Sequence, residues 1–131
     1  MRQILQPPGW VRPKGYANGI AATGRMVFTA GVIGWTAEEK IEAEDFVGQF
    51  RQALANTLAI LAEGGAGPEH IVRMTWYITD RDEYLAAGRE IGAIYREVIG
   101  RNFPAMAVVI VAGLIERAAK LEIETTAVVP E

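Results

Sequence analysis

Few side chains in this chain are equipped for chemistry. There is no cysteine and only one histidine, His70, so a thiolate nucleophile, a disulfide framework and a multi-imidazole metal site are all excluded by inventory. His70 itself reads as a surface or strand-edge residue. What is left are carboxylates and phenols in structured surroundings. Glu122 and Glu124 alternate with Leu121, Ile123 and Thr125, so both carboxylates share one side of a strand. A carboxylate turned into a cleft there would move protons to and from water, whereas one turned outward would belong to a solvated face. Tyr16, after Gly15, is either a packed aromatic or a hydroxyl held for use. Gly31 and Gly34 end an apolar run, where the backbone must turn or leave room for a close neighbour.

The elements that must position these residues follow from periodicity. Two apolar stretches, 19–22 and 25–31, flank Thr23-Gly24 and read as a β-hairpin. Phe46, Phe50, Leu54, Leu58 and Leu61 recur at helical spacing, with Asp45 as cap and Gly64-Gly65 as stop. Residues 71–79 alternate as a strand, with Val72, Met74, Trp76 and Ile78 on one face and Ile71, Arg73, Thr75 and Tyr77 on the other. A second helix opens at Asp80 or Asp82 and runs to Gly100; Gly88 and Gly92 in its middle imply close packing against a neighbour. Ala105–Ala112 is apolar at every position and predicts a strand buried on both faces. Residues 120–129 form the last strand.

The order is β-β-α-β-α-β-β over a single domain of 131 residues, with 1–14 as an irregular N-terminal segment. This is an α+β mixed sheet with two helices on one face. Those helices cannot cover both sides of it, so the second face of Ala105–Ala112 calls for self-association. The net charge of −3, with acidic and basic residues well mixed, supplies no basic stripe for nucleic acid. No apolar run is long enough for a membrane span, and no secretory-type stretch opens the chain, which makes the cytoplasm the default location.

Several stretches resemble the reactive intermediate deaminase (Rid, YjgF-like) family, in order from about residue 15 to 129. Gly15-Tyr16-Ala17-Asn18-Gly19 is similar to the family's Gly-Pro-Tyr-Ser-Gln-Ala segment. Val27-Phe28-Thr29-Ala30-Gly31 is similar to its second strand, and residues 71–80 to its third. Pro104-Ala105-Met106 stands where the family has Pro-Ala-Arg, and Lys120-Leu121-Glu122-Ile123-Glu124 matches its Lys-(Ile/Leu)-Glu-Ile-Glu strand.

The resemblance implies a chorismate-mutase-like fold and a homotrimer whose sheets face a central barrel, with a small-molecule cleft between adjacent subunits. It implies hydrolysis of an enamine or imine to a keto acid and ammonia, without metal or other cofactor. Tyr16 and Glu122 carry over as the catalytic tyrosine and glutamate, and Gly31 as the glycine bordering the cleft. Asn18, which stands where glutamine is common, and Ala105 are expected among the ligand-binding residues of the cleft.

The family's carboxylate-binding arginine does not carry over, because Met106 occupies its position, and an asparagine of the second helix is replaced near Gly88 or Arg89. A guanidinium grips a carboxylate with charge and a two-pronged fork, and a thioether can do neither. The substrate is therefore expected to differ from simple 2-imino acids. Either Arg73, Arg89 or Arg117 serves instead, or Met106 and Trp35 form an apolar wall for a larger ligand. Two functions fit this pattern. One is a deaminase of a non-standard enamine or imine; the other is a non-catalytic, metabolite-binding trimer. Ribonuclease activity, ascribed to some relatives, lacks the basic surface it would need.

Overall fold

The computed structural model describes residues 2–131, and Met1 lies outside them. Strands β1 (Arg2–Leu5) and β2 (Gly19–Ala22) pair antiparallel as a small sheet of their own. A four-stranded sheet in the order β3-β6-β4-β5 is built from β3 (Arg25–Phe28), β4 (Ile71–Ile78), β5 (Ala105–Ile110) and β6 (Leu121–Val129). β6 runs antiparallel to both β3 and β4, while β4 and β5 are parallel. Helix α1 (Phe46–Glu63) links β3 to β4 through a 3-10 turn at Pro68–His70, and α2 (Arg81–Ala86) with α3 (Gly88–Val98) links β4 to β5. The α+β class expected from the pattern is the observed one.

Helix α1 forms where the apolar stripe placed it. The Asp45 carboxylate accepts from the Gly48 amide at 3.3 Å, closing the N-terminus. The buried stripe of Phe46, Phe50, Ala53, Leu54 and Leu61 meets Met74, Trp76, Leu121 and Ile123 from the sheet. Gln49 is buried among them because its amide bridges three backbone groups. It donates to the Ala43 and Ala118 carbonyls and accepts from the Lys120 amide.

Five expectations need correction. Residues 2–5, expected to be irregular, are a strand, anchored by Arg2, whose guanidinium donates to Asn102 Oδ1 at 2.6 Å and to the Glu69 carbonyl at 3.0 Å. The expected hairpin of β2 and β3 does not form. The two are joined by Thr23-Gly24, but β2 pairs with β1 and β3 with β6. Gly24 makes this divergence possible: its φ is +146°, and a Cβ there would collide with the Val129 carbonyl. A bulge at Ile71/Arg73 moves Ile71 into the core and Val72 to the other side, reversing their predicted faces.

The second helix is interrupted at Ala87, whose amide turns back to Glu83 and Tyr84 before Gly88 restarts the helix. Finally, β5 ends at Ile110 rather than Ala112; it is an edge strand, and Val109 and Ile110 are exposed in the single chain, as a face that awaits self-association would be.

Candidate functional site

The sheet has a helix-covered face and an open face, and strand register assigns each candidate to one of them. On β4 and β5, Met106 stands opposite Met74 and Val108 opposite Trp76, both on the covered face. Glu122 stands opposite Tyr77, and Glu124 opposite Thr75, on the open face. Residues directly opposite one another in a ladder point to the same side. The candidates thus separate into two half-sites on opposite faces.

The first half-site is a cleft of about 560 Å³ at the mouth of the helical layer. The loop carrying Tyr16 is docked there through the backbone of Ala17, whose amide donates to the Pro104 carbonyl at 2.9 Å and which forms a parallel bridge with Ala105. This sets half-exposed Tyr16 beside Met106 in the same cleft. Trp76, Tyr95 and Phe103 form its aromatic wall. Tyr95 stacks on Phe103 at 5.6 Å, and Trp76 lies 6.2 Å from Tyr95. Burial pushes the Tyr95 phenol well above its ordinary range, and its hydroxyl donates to the Asn102 carbonyl, so Tyr95 acts as a neutral wall. The buried indole N–H of Trp76 has no hydrogen-bond partner among the described residues.

The second half-site is built around Gly31. Beyond β3 the chain follows β6, with the Thr29 amide donating to the Thr125 carbonyl and Val32 exchanging two 2.8 Å hydrogen bonds with Ile123. This brings Gly31 against the Glu122 side chain so closely that a Cβ at position 31 would overlap the carboxylate. The room left by this glycine, read from sequence as space for a close neighbour, is therefore filled by the candidate catalytic acid itself. Half-buried Glu122 makes no hydrogen bond or ion pair among the described residues. Glu124 is engaged, accepting from the Tyr77 hydroxyl at 2.5 Å. That bond, more than burial or neighbouring charge, raises the Tyr77 phenol above its usual range.

The remaining candidates fall elsewhere. Asn18 donates to Gln6 Oε1 at 3.0 Å and, with Ala105, lines a groove on the open-face side with Phe28 and Arg73. Trp35 is held over α1, its carbonyl accepting from Asn56 at 2.7 Å, and does not line the Met106 cleft. The tryptophan in that wall is Trp76. None of Arg73, Arg89 and Arg117 lines the cleft either. Arg73 is on the open face, and Arg117 is beside the loop near Lys120. The cations lining it are Lys14 and Arg96, which the reading of the sequence had not singled out. The signal available was the spacing Gly88, Gly92, Arg96, one stripe of a helix.

Residues 11–129 match the family model described as endoribonuclease L-PSP. The chain belongs to the Rid/YjgF family. Among its curated relatives is the 2-iminobutanoate/2-iminopropanoate deaminase of Salmonella typhimurium, 34% identical over 113 residues that cover 86% of each chain. A Rid-family protein of Yersinia pestis, of unknown function, superposes with a TM-score of 0.82 at 27% identity over 98% of both chains. Escherichia coli TdcF, solved with bound serine, superposes with a TM-score of 0.71 at 33% identity over 93% of this chain and 92% of that one. Within this Rid-family chain, no helix among the described residues is long and apolar enough to cross a membrane.

Proposed function

We propose that the protein is a hydrolytic deaminase of a small enamine or imine, and that its active site is completed between copies of the chain. The observation that carries this reading is the Glu122 carboxylate, unpartnered and set against Gly31 on the sheet's open face. A carboxylate without internal hydrogen-bond partners is available to accept a proton from water. The name of the Salmonella relative and the serine bound to TdcF support a small amino-acid-like ligand.

Tyr16 and Met106 cannot meet Glu122 within one chain, because they occupy opposite faces. Assembly of three copies, open faces inward, would set the Tyr16–Met106 cleft of one against Glu122 of the next. The open face favours such assembly, since it exposes Met26 and Phe28 on one flank and Val109 on the other.

In the proposed reaction an enamine first takes a proton on carbon and loses one from nitrogen, becoming the imine. Water adds to the imine carbon and gives one proton to Glu122, which passes it to the imine nitrogen, leaving a carbinolamine with an amino group and Glu122 again as carboxylate. Tyr16 orients the water through its hydroxyl. Glu122 then takes the hydroxyl proton of the carbinolamine and delivers it to nitrogen as the C–N bond breaks, so that ammonia leaves and the carbonyl forms. Water and imine are consumed, and a carbonyl compound and ammonia are formed.

Ammonia release from a panel of enamines tests the reading, comparing the wild type with Glu122→Ala and Tyr16→Phe. Release above the uncatalysed rate, lost in Glu122→Ala and reduced in Tyr16→Phe, is expected. Saturable binding without any release would replace the enzyme by a metabolite-binding module.

A further inference from the structure

We propose that the Tyr16–Met106 cleft selects ligands joining an aromatic body to a carboxylate, and that Arg96 holds the carboxylate. This deepens the deaminase reading and rests on it for the chemistry, though not for the binding.

Helix α3 faces the cleft with two glycines one turn apart. A Cβ at Gly88 would meet nothing within 4 Å, and one at Gly92 would touch only Arg96 Nη1, at 3.5 Å. Close packing within the chain, the expected reason for both, is therefore not what excludes a side chain. At Gly92, inside the helix, glycine costs about 1 kcal/mol relative to alanine. Here the missing side chains leave open volume beside an aromatic wall, room that a compact 2-imino acid would not fill.

The position of Arg96 gives that volume a charge. It follows Gly92 by one turn, and its guanidinium lies over the glycine, at the edge of the cleft. The guanidinium makes no hydrogen bond or ion pair among the described residues, whereas Arg51, on α1, is paired with Glu97 at 2.6 Å. Lys14 adds a second cation, and among the described residues no Asp or Glu lines the cleft. A chain of net charge −3 thus presents a locally positive, aromatic-walled pocket. A free guanidinium fork suits a carboxylate, and the rings suit a planar apolar body. Met106, uncharged at the wall, leaves the anion-binding task to Arg96.

Calorimetric titration of the purified full chain with phenylpyruvate, 2-oxobutanoate and 4-phenyl-2-butanone tests the assignment. Phenylpyruvate is expected to bind at least tenfold more tightly than the short acid or the neutral ketone. Arg96→Met is expected to weaken phenylpyruvate at least tenfold while leaving the ketone within twofold, with partial rescue in Arg96→Lys. Gly88→Leu, whose Cβ meets nothing within 4 Å and whose side chain takes up room in the cleft, is expected to weaken phenylpyruvate at least tenfold, with circular dichroism checking that the fold is kept. Equal binding of 2-oxobutanoate and phenylpyruvate, or an Arg96→Met variant that binds phenylpyruvate as the wild type does, overturns the proposal.

Hydrolysis of imines freshly made from phenylalanine and from 2-aminobutyrate separates the two readings. Turnover of the short imine alone overturns the ligand class and leaves the deaminase standing. The binding pattern without turnover of either imine supports the ligand class and removes the deaminase.

Discussion

Met106 and Glu122 stand on opposite faces of one sheet, Met106 opposite Met74 under the helices and Glu122 opposite Tyr77 on the uncovered side. No rotamer change can bring both to one ligand, because successive strand residues are locked to alternate faces. Activity that depends on both must therefore depend on assembly. Phe28, 63% exposed on the open face, is the point at which to break it. For the proposed three-copy assembly, of about three times 14.3 kDa, Phe28→Asp is expected to lower the mass seen by light scattering toward the monomer. Circular dichroism should stay native while ammonia release disappears. A Phe28→Asp monomer with full activity would mean that the two half-sites do not work together.

Gly31 and Glu122 allow a test confined to one half-site. Because a Cβ at position 31 overlaps the carboxylate, Gly31→Ala must push Glu122 out of place. Misplacing a reacting group by about 1 Å can cost on the order of a hundredfold in rate. A kcat lower by about that factor is expected, with little change in KM. A Gly31→Ala variant with undiminished kcat would show that the position of Glu122 is not used.

The Tyr77–Glu124 contact predicts a titration. The phenol is held above its ordinary value of 10.0, first by its hydrogen bond to Glu124. A raised folded-state value means that the contact stabilises the protein below about pH 10, and that this contribution is lost as pH rises through the raised value. Ultraviolet difference titration of the folded protein should show a late-ionising tyrosine that shifts downward in Glu124→Gln. Loss of the shift without loss of assembly would assign Glu124 to the sheet rather than to the reaction.

Gln49 ties the loop before α1 and the loop before β6 to the helix through three backbone hydrogen bonds. Gln49→Leu keeps comparable bulk but strands buried carbonyl and amide groups, each at roughly 1–3 kcal/mol. Urea unfolding is expected to show a loss of at least about 2 kcal/mol with an unchanged m-value. The larger Leu54→Ala cavity in the same core should cost about 2–5 kcal/mol.

Local pattern carried much of this architecture, and long-range choice carried the rest. Glu122 and Glu124 were legible as sharing one face because alternation along β6 is a property of the strand alone. The α1 stripe and its Asp45 cap are equally local. The pairing of β2 with β1 was not, since a two-residue link at Thr23-Gly24 fits a hairpin as well as it fits two diverging strands, and only β6 decides between them. Ile71 was placed on the wrong face because one extra residue in a strand reverses its neighbours without a mark in composition. The apolar run at 105–112 suggested double burial, yet the single chain leaves it at an edge. Arg96 carries no mark in the sequence, because one arginine on an amphipathic helix is like any other until the fold shows Gly88 and Gly92 leaving space beside it.

Position 106 gives the last prediction, because it decides which end of a ligand the cleft grips. Met106 lies with Trp76 and Tyr95 on the covered face, so Met106→Arg puts a guanidinium deep in the cleft, near the wall formed by Phe103. A charged hydrogen bond is worth roughly 1.5–3 kcal/mol, or about ten- to a hundredfold in affinity. Binding of 2-oxobutanoate is therefore expected to improve by about that factor. Phenylpyruvate should lose affinity in the same variant, because the new side chain occupies volume its ring requires and draws the carboxylate away from Arg96. Titration of both acids against wild type and Met106→Arg gives the crossover directly. Improvement for both would show that ring and fork do not compete for the same space, placing the aromatic body of the ligand outside this wall.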